Sequence, residues 1–109
     1  MFVLQLEIPI ATVKHILSFC KSEGIITVLN PAPASKELVL TDPIFKCVDY
    51  LIPNETESQL LTSLTTDSRE ELMDALLTNQ HMTVIMTIGG EGAFVGQANQ
   101  VKIVLLTNF

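Results

Sequence analysis

Asn54 and Glu57 stand three residues apart in Pro53-Asn54-Glu55-Thr56-Glu57, directly after the apolar stretch Tyr50-Leu51-Ile52. Asparagine is a good helix N-cap, and an acidic residue three positions on completes a capping box. The same cluster opens a helix at the end of a buried strand, which is where open α/β sheets hold ligands. Capping and ligand binding are both open to this pair, since one residue can do both. Leu4-Gln5-Leu6-Glu7, Asn30-Pro31-Ala32-Pro33-Ala34 and Thr87-Ile88-Gly89-Gly90-Glu91-Gly92 follow apolar strand candidates in the same way. Four strand ends with polar or Gly/Pro chemistry predict one ligand-facing edge. Taken singly, each has a plainer reading. Glu7 would be a solvated residue at a strand end, and Thr87–Gly92 an ordinary hairpin turn. The two prolines of 30–34 fix φ and remove two donors, leaving a rigid loop of small residues.

The elements that must position these residues alternate along the chain. Residues 2–6 read as a first strand. Pro9 suits the first turn of a helix, and Ile10, Val13, Leu17 and Cys20 recur on one face of it, with Lys21 in the last turn and Gly24 in the left-handed position beyond. Residues 25–29 form an apolar, β-branched strand of the kind covered on both sides. Asp42-Pro43 opens a short helix through Phe45, Cys47 and Val48, and residues 49–52 form the third strand. A helix carrying Leu60, Leu61 and Leu64 follows Asn54. Thr66, Asp67 and Ser68 begin another, with Glu70 and Glu71 in its first turn and Leu72, Met73, Leu76 and Leu77 as its apolar face. Residues 83–88 are the fourth strand, 93–95 a short return, and 101–106 a last strand candidate. The order β-α-β-α-β-α-(α)-β-β predicts an α/β fold of mostly parallel, Rossmann-like strands with helical crossovers.

The chain has 109 residues, enough for one small domain, and a net charge of −6. An apolar share of 48% against 17% charged is high for so small a unit. It fits strands buried on both faces, a piece of something larger, or both. With no Lys/Arg cluster the sequence lacks the footprint of a nucleic-acid binder. No apolar run is long enough to span a bilayer, and the interrupted start is not a secretory signal. Cys20 and Cys47 form no CxxC pattern and read as reduced, partly buried thiols of a cytoplasmic protein. His15 and His81 read as surface residues, the methionines as packing, and Asp67, Glu70, Glu71 and Asp74 as a solvated acidic face.

At Leu4–Pro9, Asn30–Ala34, Pro53–Glu57 and Thr87–Gly92 the sequence resembles the ribokinase family of sugar kinases, in the family's order and approximate spacing. The likeness runs from about residue 2 to about residue 96, leaving 97–109 as an unmatched tail. The NxxE pattern and the Thr-x-Gly-x-x-Gly turn are shared with fructokinases and adenosine kinases. Gln-Leu-Glu-Ile-Pro together with Asn-Pro-Ala-Pro-Ala is more particular to ribokinase itself. The resemblance implies a three-layer αβα fold, here as a single partial domain over 1–109. It implies transfer of the γ-phosphoryl of ATP to a ribose hydroxyl with Mg²⁺, and a monovalent cation can accompany the intact enzyme.

By position, the resemblance gives Glu7 to the sugar, Asn54, Thr87, Gly89 and Gly92 to the nucleotide, and Glu57 to the metal. Phosphoryl transfer is mostly positioning and charge neutralisation, and Mg²⁺ keeps several waters, so a single carboxylate is a typical protein contribution. The family's Gly-Ala-Gly-Asp motif, with its anion hole and general base, has no counterpart in these 109 residues. Also missing are its Gly-Gly sugar loop and β-strand lid. No catalytic residue is therefore assigned. The chain reads as a central slice of a ribokinase, and whether it is an enzyme by itself stays open. The alternatives are a non-catalytic remnant that binds nucleotide or a partner, or self-associates through exposed sheet edges, and a sister kinase for another sugar or nucleoside.

Overall fold

A computed structural model describes residues 1–78 and 80–98. The strands are β1 (Phe2–Gln5), β2 (Thr27–Asn30), β3 (Tyr50–Leu51), β4 (Thr83–Thr87) and β5 (Ala93–Gly96). The helices are α1 (Ile10–Ser22), α2 (Glu55–Thr62) and α3 (Arg69–Leu77), with a 3-10 turn at Pro43–Cys47. The sheet order follows the chain, β1-β2-β3-β4-β5; β1 to β4 are parallel and β5 returns antiparallel on β4. The strand candidate at 101–106 and most of the 97–109 tail lie outside the described residues.

Several boundaries differ from the sequence expectation, each for a local reason. Ile25 is not in β2, because its N–H donates to the Cys20 carbonyl and finishes α1. Asp49 turns aside from β3, and its Oδ2 accepts from the Thr27 N–H at 2.8 Å. The helix expected after Asp42 is a 3-10 turn capped by Asp42. Leu64 falls outside α2, because Ser63 adopts the left-handed conformation (φ 58) and stops the helix. Leu64 is correspondingly exposed.

Strands in sequential order, joined by right-handed crossovers, put every connection on the same face of the sheet. The parallel register aligns Leu4, Leu29, Leu51 and Val84 in one row. That row packs with Val13 and Leu17 of α1, Phe45 of the 3-10 turn, Leu61 of α2, and Leu72, Met73 and Leu76 of α3 in a single core. The opposite face carries Val3, Val28, Tyr50, Ile52, Ile85 and Val95, none of which belongs to that core. Val3 is 62% exposed. Val28 is buried, on a face where Val3 and Tyr50 are its register neighbours. The described residues thus supply the sheet and one helical layer of the ribokinase-like αβα fold.

Asp42 ties α1 to the 3-10 turn. Its Oδ1 accepts from the Ile44 N–H at 3.0 Å and its Oδ2 meets Lys14 Nζ at 2.6 Å. The Lys14 hydrogen bond, then the Ile44 N–H, hold this carboxyl below the ordinary aspartate value of 3.8.

A fold sealed on one side gives an asymmetric response to truncation. Leu51→Ala, at a fully buried position, should cost about 3 kcal/mol in urea unfolding. Ile52→Ala, on the open face, should cost nearer to 1 kcal/mol. Equal losses would mean both faces are sealed. For Asp42, a lowered carboxyl means the unfolded chain binds more protons near pH 4. Its contribution is complete above the unfolded value and disappears as pH falls through the folded one. Asp42→Asn should cost about 1 kcal/mol at neutral pH, and the gap to wild type should close in acid.

Candidate functional site

The start of α2 is a reciprocal cap. Asn54 sits in extended conformation, and its Oδ1 accepts from the Glu57 N–H at 2.7 Å. Glu57 Oε1 accepts from the Asn54 N–H at 2.9 Å. Ser58 adds two donors to the Asn54 carbonyl. Two otherwise orphaned N–H groups are satisfied, and two carboxylates, Glu55 and Glu57, sit in the first turn where the helix dipole favours them. Glu57 is only 6% exposed. Its Oε2 takes no hydrogen bond from the described residues, and no buried side-chain oxygen among them lacks a partner, so Oε2 keeps contact with solvent.

Thr87 ends β4 beside this cap. Its N–H donates to the Pro53 carbonyl at 2.8 Å, and Asn54 and Thr87 form a parallel bridge three residues beyond the last strand pair, Leu51 with Val84. The chain then turns through Gly89–Glu91, closed by Glu91 N–H to Ile88 O and Ile88 N–H to Gly92 O. Gly92, at φ 112 and ψ −137, occupies backbone space that a side chain would exclude.

Glu7 lies exposed in the turn after β1. Leu6 N–H donates to the Ala32 carbonyl, so the 30–34 loop is fastened over the end of β1. Gln5 is level with Asn30, and Leu29 with Leu51 and Val84. Counting on from those pairs, Glu7, Asn54 and Thr87 come at the same height. Asn54 and Thr87 are direct neighbours. Glu7 is on the same edge but two strands from Asn54 and three from Thr87, about 14 Å for the latter. Part of Glu57 lines a narrow crevice with Leu6, Pro31, Ala34, Ser35, Leu60 and Leu61 that has no room for a water molecule. Larger cavities of about 600 and 500 Å³ lie by the C-terminal ends of α2 and α3 and beside the 36–39 segment. Neither is lined by Glu7, Asn54, Glu57, Thr87 or the Gly89–Gly92 turn.

Among the described residues no group of three His, Cys, Asp or Glu side chains could cage a metal. One carboxylate oxygen open to solvent does fit Mg²⁺, which binds through few protein oxygens and retains its waters. His15 and His81 are exposed, Cys20 is buried and Cys47 half-buried, both as free thiols. No helix of the described residues is long and apolar enough to cross a membrane.

One residue at this rim has no motif to announce it. Arg69, the first residue of α3, places Nη2 2.6 Å from Glu91 Oε2 and Nε 3.6 Å from Glu55 Oε2. It links the turn, α2 and α3. Its only sequence signal is that it is the sole arginine of the chain.

The family model for pfkB family carbohydrate kinases matches residues 3–106. The chain belongs to this family. It is 39% identical over 97 residues to a deoxyribokinase of Salmonella typhi, covering 85% of this chain and 31% of that one. It is 34% identical over 101 residues to a ribokinase of Staphylococcus aureus, covering 90% of this chain and 32% of that one. Among solved structures, Arabidopsis thaliana ribokinase complexed with ribose and ATP superposes with a TM-score of 0.75 at 23% identity, over 96% of this chain and 34% of that one. The chain spans about a third of the length of the curated pfkB relatives it matches.

The cap makes a separable prediction. Asn54→Ala should cost about 1 kcal/mol of stability, while Glu57→Gln, which keeps an acceptor at Oε1, should stay within about 0.5 kcal/mol of wild type. A large loss for Glu57→Gln in thermal unfolding would show that the charge itself stabilises α2.

Proposed function

We propose that this chain forms the nucleotide- and metal-facing portion of an ATP-dependent pentose kinase, which moves the γ-phosphoryl of ATP to a ribose hydroxyl. The observation that carries the reading is the common rim. Parallel pairing brings Glu7, the Asn54–Glu57 cap and the Thr87–Gly92 turn to one edge of the sheet at one height. The fold shared with a ribokinase solved with ribose and ATP supports it, as do the ribokinase and deoxyribokinase relatives.

Each residue then has a task suited to its geometry. Glu7, exposed after β1, accepts hydrogen bonds from sugar hydroxyls. Asn54 holds the N-terminus of α2 in shape toward the phosphates, and that terminus contributes its positive dipole end. Glu57 would hold the metal with its carboxylate, whose Oε1 is already engaged by the cap. Gly89 and Gly92 let the backbone approach the nucleotide without side-chain obstruction. Mg²⁺, when bound, would neutralise charge on the β- and γ-phosphates. The proton leaving the sugar hydroxyl needs a general base, and the Gly-Ala-Gly-Asp motif that the family resemblance assigns to that step is not among these residues. General bases contribute about 10²–10⁴-fold. The chain by itself should release no ADP in a ribose-dependent way. The Salmonella typhi deoxyribokinase match keeps 2-deoxyribose as the second sugar to test.

Binding is the decisive measurement. Amide NMR of the chain titrated with Mg·ATP should show shifts concentrated at Asn54–Glu57 and Thr87–Gly92, weakened in Glu57→Gln without loss of fold. Ribose should perturb Glu7 and its neighbours. Absent shifts, or shifts confined to the cavity around Thr62 and Ala75, would overturn the assignment.

A further inference from the structure

Arg69 breaks a local rule. A positive side chain in the first turn of a helix opposes the macrodipole, whose N-terminal end is itself positive. Residues that contradict their local preference are compensated elsewhere, and such conflicts gather at functional sites. Here the compensation is visible. The guanidinium spans two carboxylates from different elements, Glu91 at 2.6 Å and Glu55 at 3.6 Å. The hydrogen bond from Arg69 to Glu91 also holds its own proton more tightly than usual.

The identity of those partners gives the contact its meaning. Glu55 directly follows Asn54, the N-cap of α2. Glu91 lies between Gly90 and Gly92 in the turn after β4. One side chain therefore joins the two segments that the kinase reading assigns to phosphates and nucleotide. The backbone already pins Thr87 to Pro53. Among the described residues, the backbone bonds of the turn beyond Thr87 close it upon itself, through Ile88, Glu91 and Gly92, and Arg69 ties its tip to the helices.

We propose that Arg69 is a positioning residue for the nucleotide-receiving turn, fixing Gly89–Gly92 relative to the N-terminus of α2. It also offsets two carboxylates at a rim meant for an anionic ligand. The nucleotide part of this inference rests on the kinase reading; the positioning part does not. A solvent-exposed ion pair gives only a modest effect, so the expected change is local and small.

Hydrogen exchange on the chain tests the positioning directly. Arg69→Gln should speed exchange of the amides at 90–93 by roughly two- to fivefold, leaving those of α1 and β2 unchanged. Arg69→Lys, which cannot span both carboxylates, should show an intermediate rise. Glu91→Gln should reproduce most of the effect, and the double variant should add little to either single change. Unchanged turn amides, or a uniform rise across all elements, would overturn the proposal, the second outcome marking Arg69 as a general stabiliser. A Mg·ATP titration read at Thr87–Gly92 should weaken in Arg69→Gln by a similar factor, and equal affinity would overturn the nucleotide part. If wild type binds no nucleotide at all, the kinase reading and the nucleotide part fail together, and the exchange result still decides the positioning role.

Discussion

The Thr87 N–H reaches the Pro53 carbonyl at 2.8 Å, beyond Leu51 and Val84, the last residues of β3 and β4 that pair as strands. Because of this bond the N-cap of α2 and the start of the Gly89–Gly92 turn leave the sheet side by side. β3 is only two residues long, so pairing within the strand alone would leave its register weakly held. The extension past the strand end compensates, as does Asp49 at the other end, where its carboxylate and carbonyl engage Thr27 and Thr83. A short central strand is thereby fixed from both ends. Its one inward side chain, Leu51, then joins the row that holds the helices.

The capping box has a second consequence. Glu57 is almost fully buried and, among the described residues, forms no ion pair; its hydrogen-bond partner is the backbone N–H of Asn54. A carboxylate held this way keeps one oxygen for the helix and offers the other outward. On the proposed kinase reading, that arrangement would let a single residue serve a structural and a metal-facing role without one excluding the other. It also explains why a cage of acidic residues is not needed. Mg²⁺ takes most of its ligands from water and phosphate, and one oriented oxygen is enough for the protein to set its position.

Much of this was legible in the sequence, and the exceptions share a cause. The parallel α/β order could be read from apolar strands alternating with helical faces, and α1 and α3 bury the residues expected of them. The Asn54–Glu57 cap and the Gly92 turn were readable because their partners lie within a few residues. Boundaries failed where a contact from a distant segment decided them. Asp49 left its strand to cap Thr27, 22 residues away. Arg69 was passed over because its partner Glu91 is also 22 residues on, and its own position reads as a mild mistake in helix design. The facing of the sheet was only half visible. A continuous apolar run in β2 predicts burial on both sides. Here Val28 is buried while Val3 beside it is open.

Charge at the rim settles how an anionic nucleotide could approach it. Glu7, Glu55, Glu57 and Glu91 all lie at the ends of β1, β3 and β4, and among the described residues Arg69 is the cation that pairs with two of them, Glu55 and Glu91. Among the described residues, the strands place no charged side chain on the opposite sheet face. Each uncompensated carboxylate about 8 Å from a phosphate costs roughly 0.5 kcal/mol in water, and more where water is excluded. Several together would outweigh the attraction of one helix N-terminus, worth about 0.3–1 kcal/mol. A bare triphosphate is therefore a poor ligand for this edge. On the proposed kinase reading, a triphosphate already carrying a divalent cation would suit it better, because the same carboxylates would then attract the complex through the metal. On that reading the acidity that would exclude the nucleotide alone would make the metal part of the recognition, and the guanidinium held between Glu55 and Glu91 would limit the repulsion.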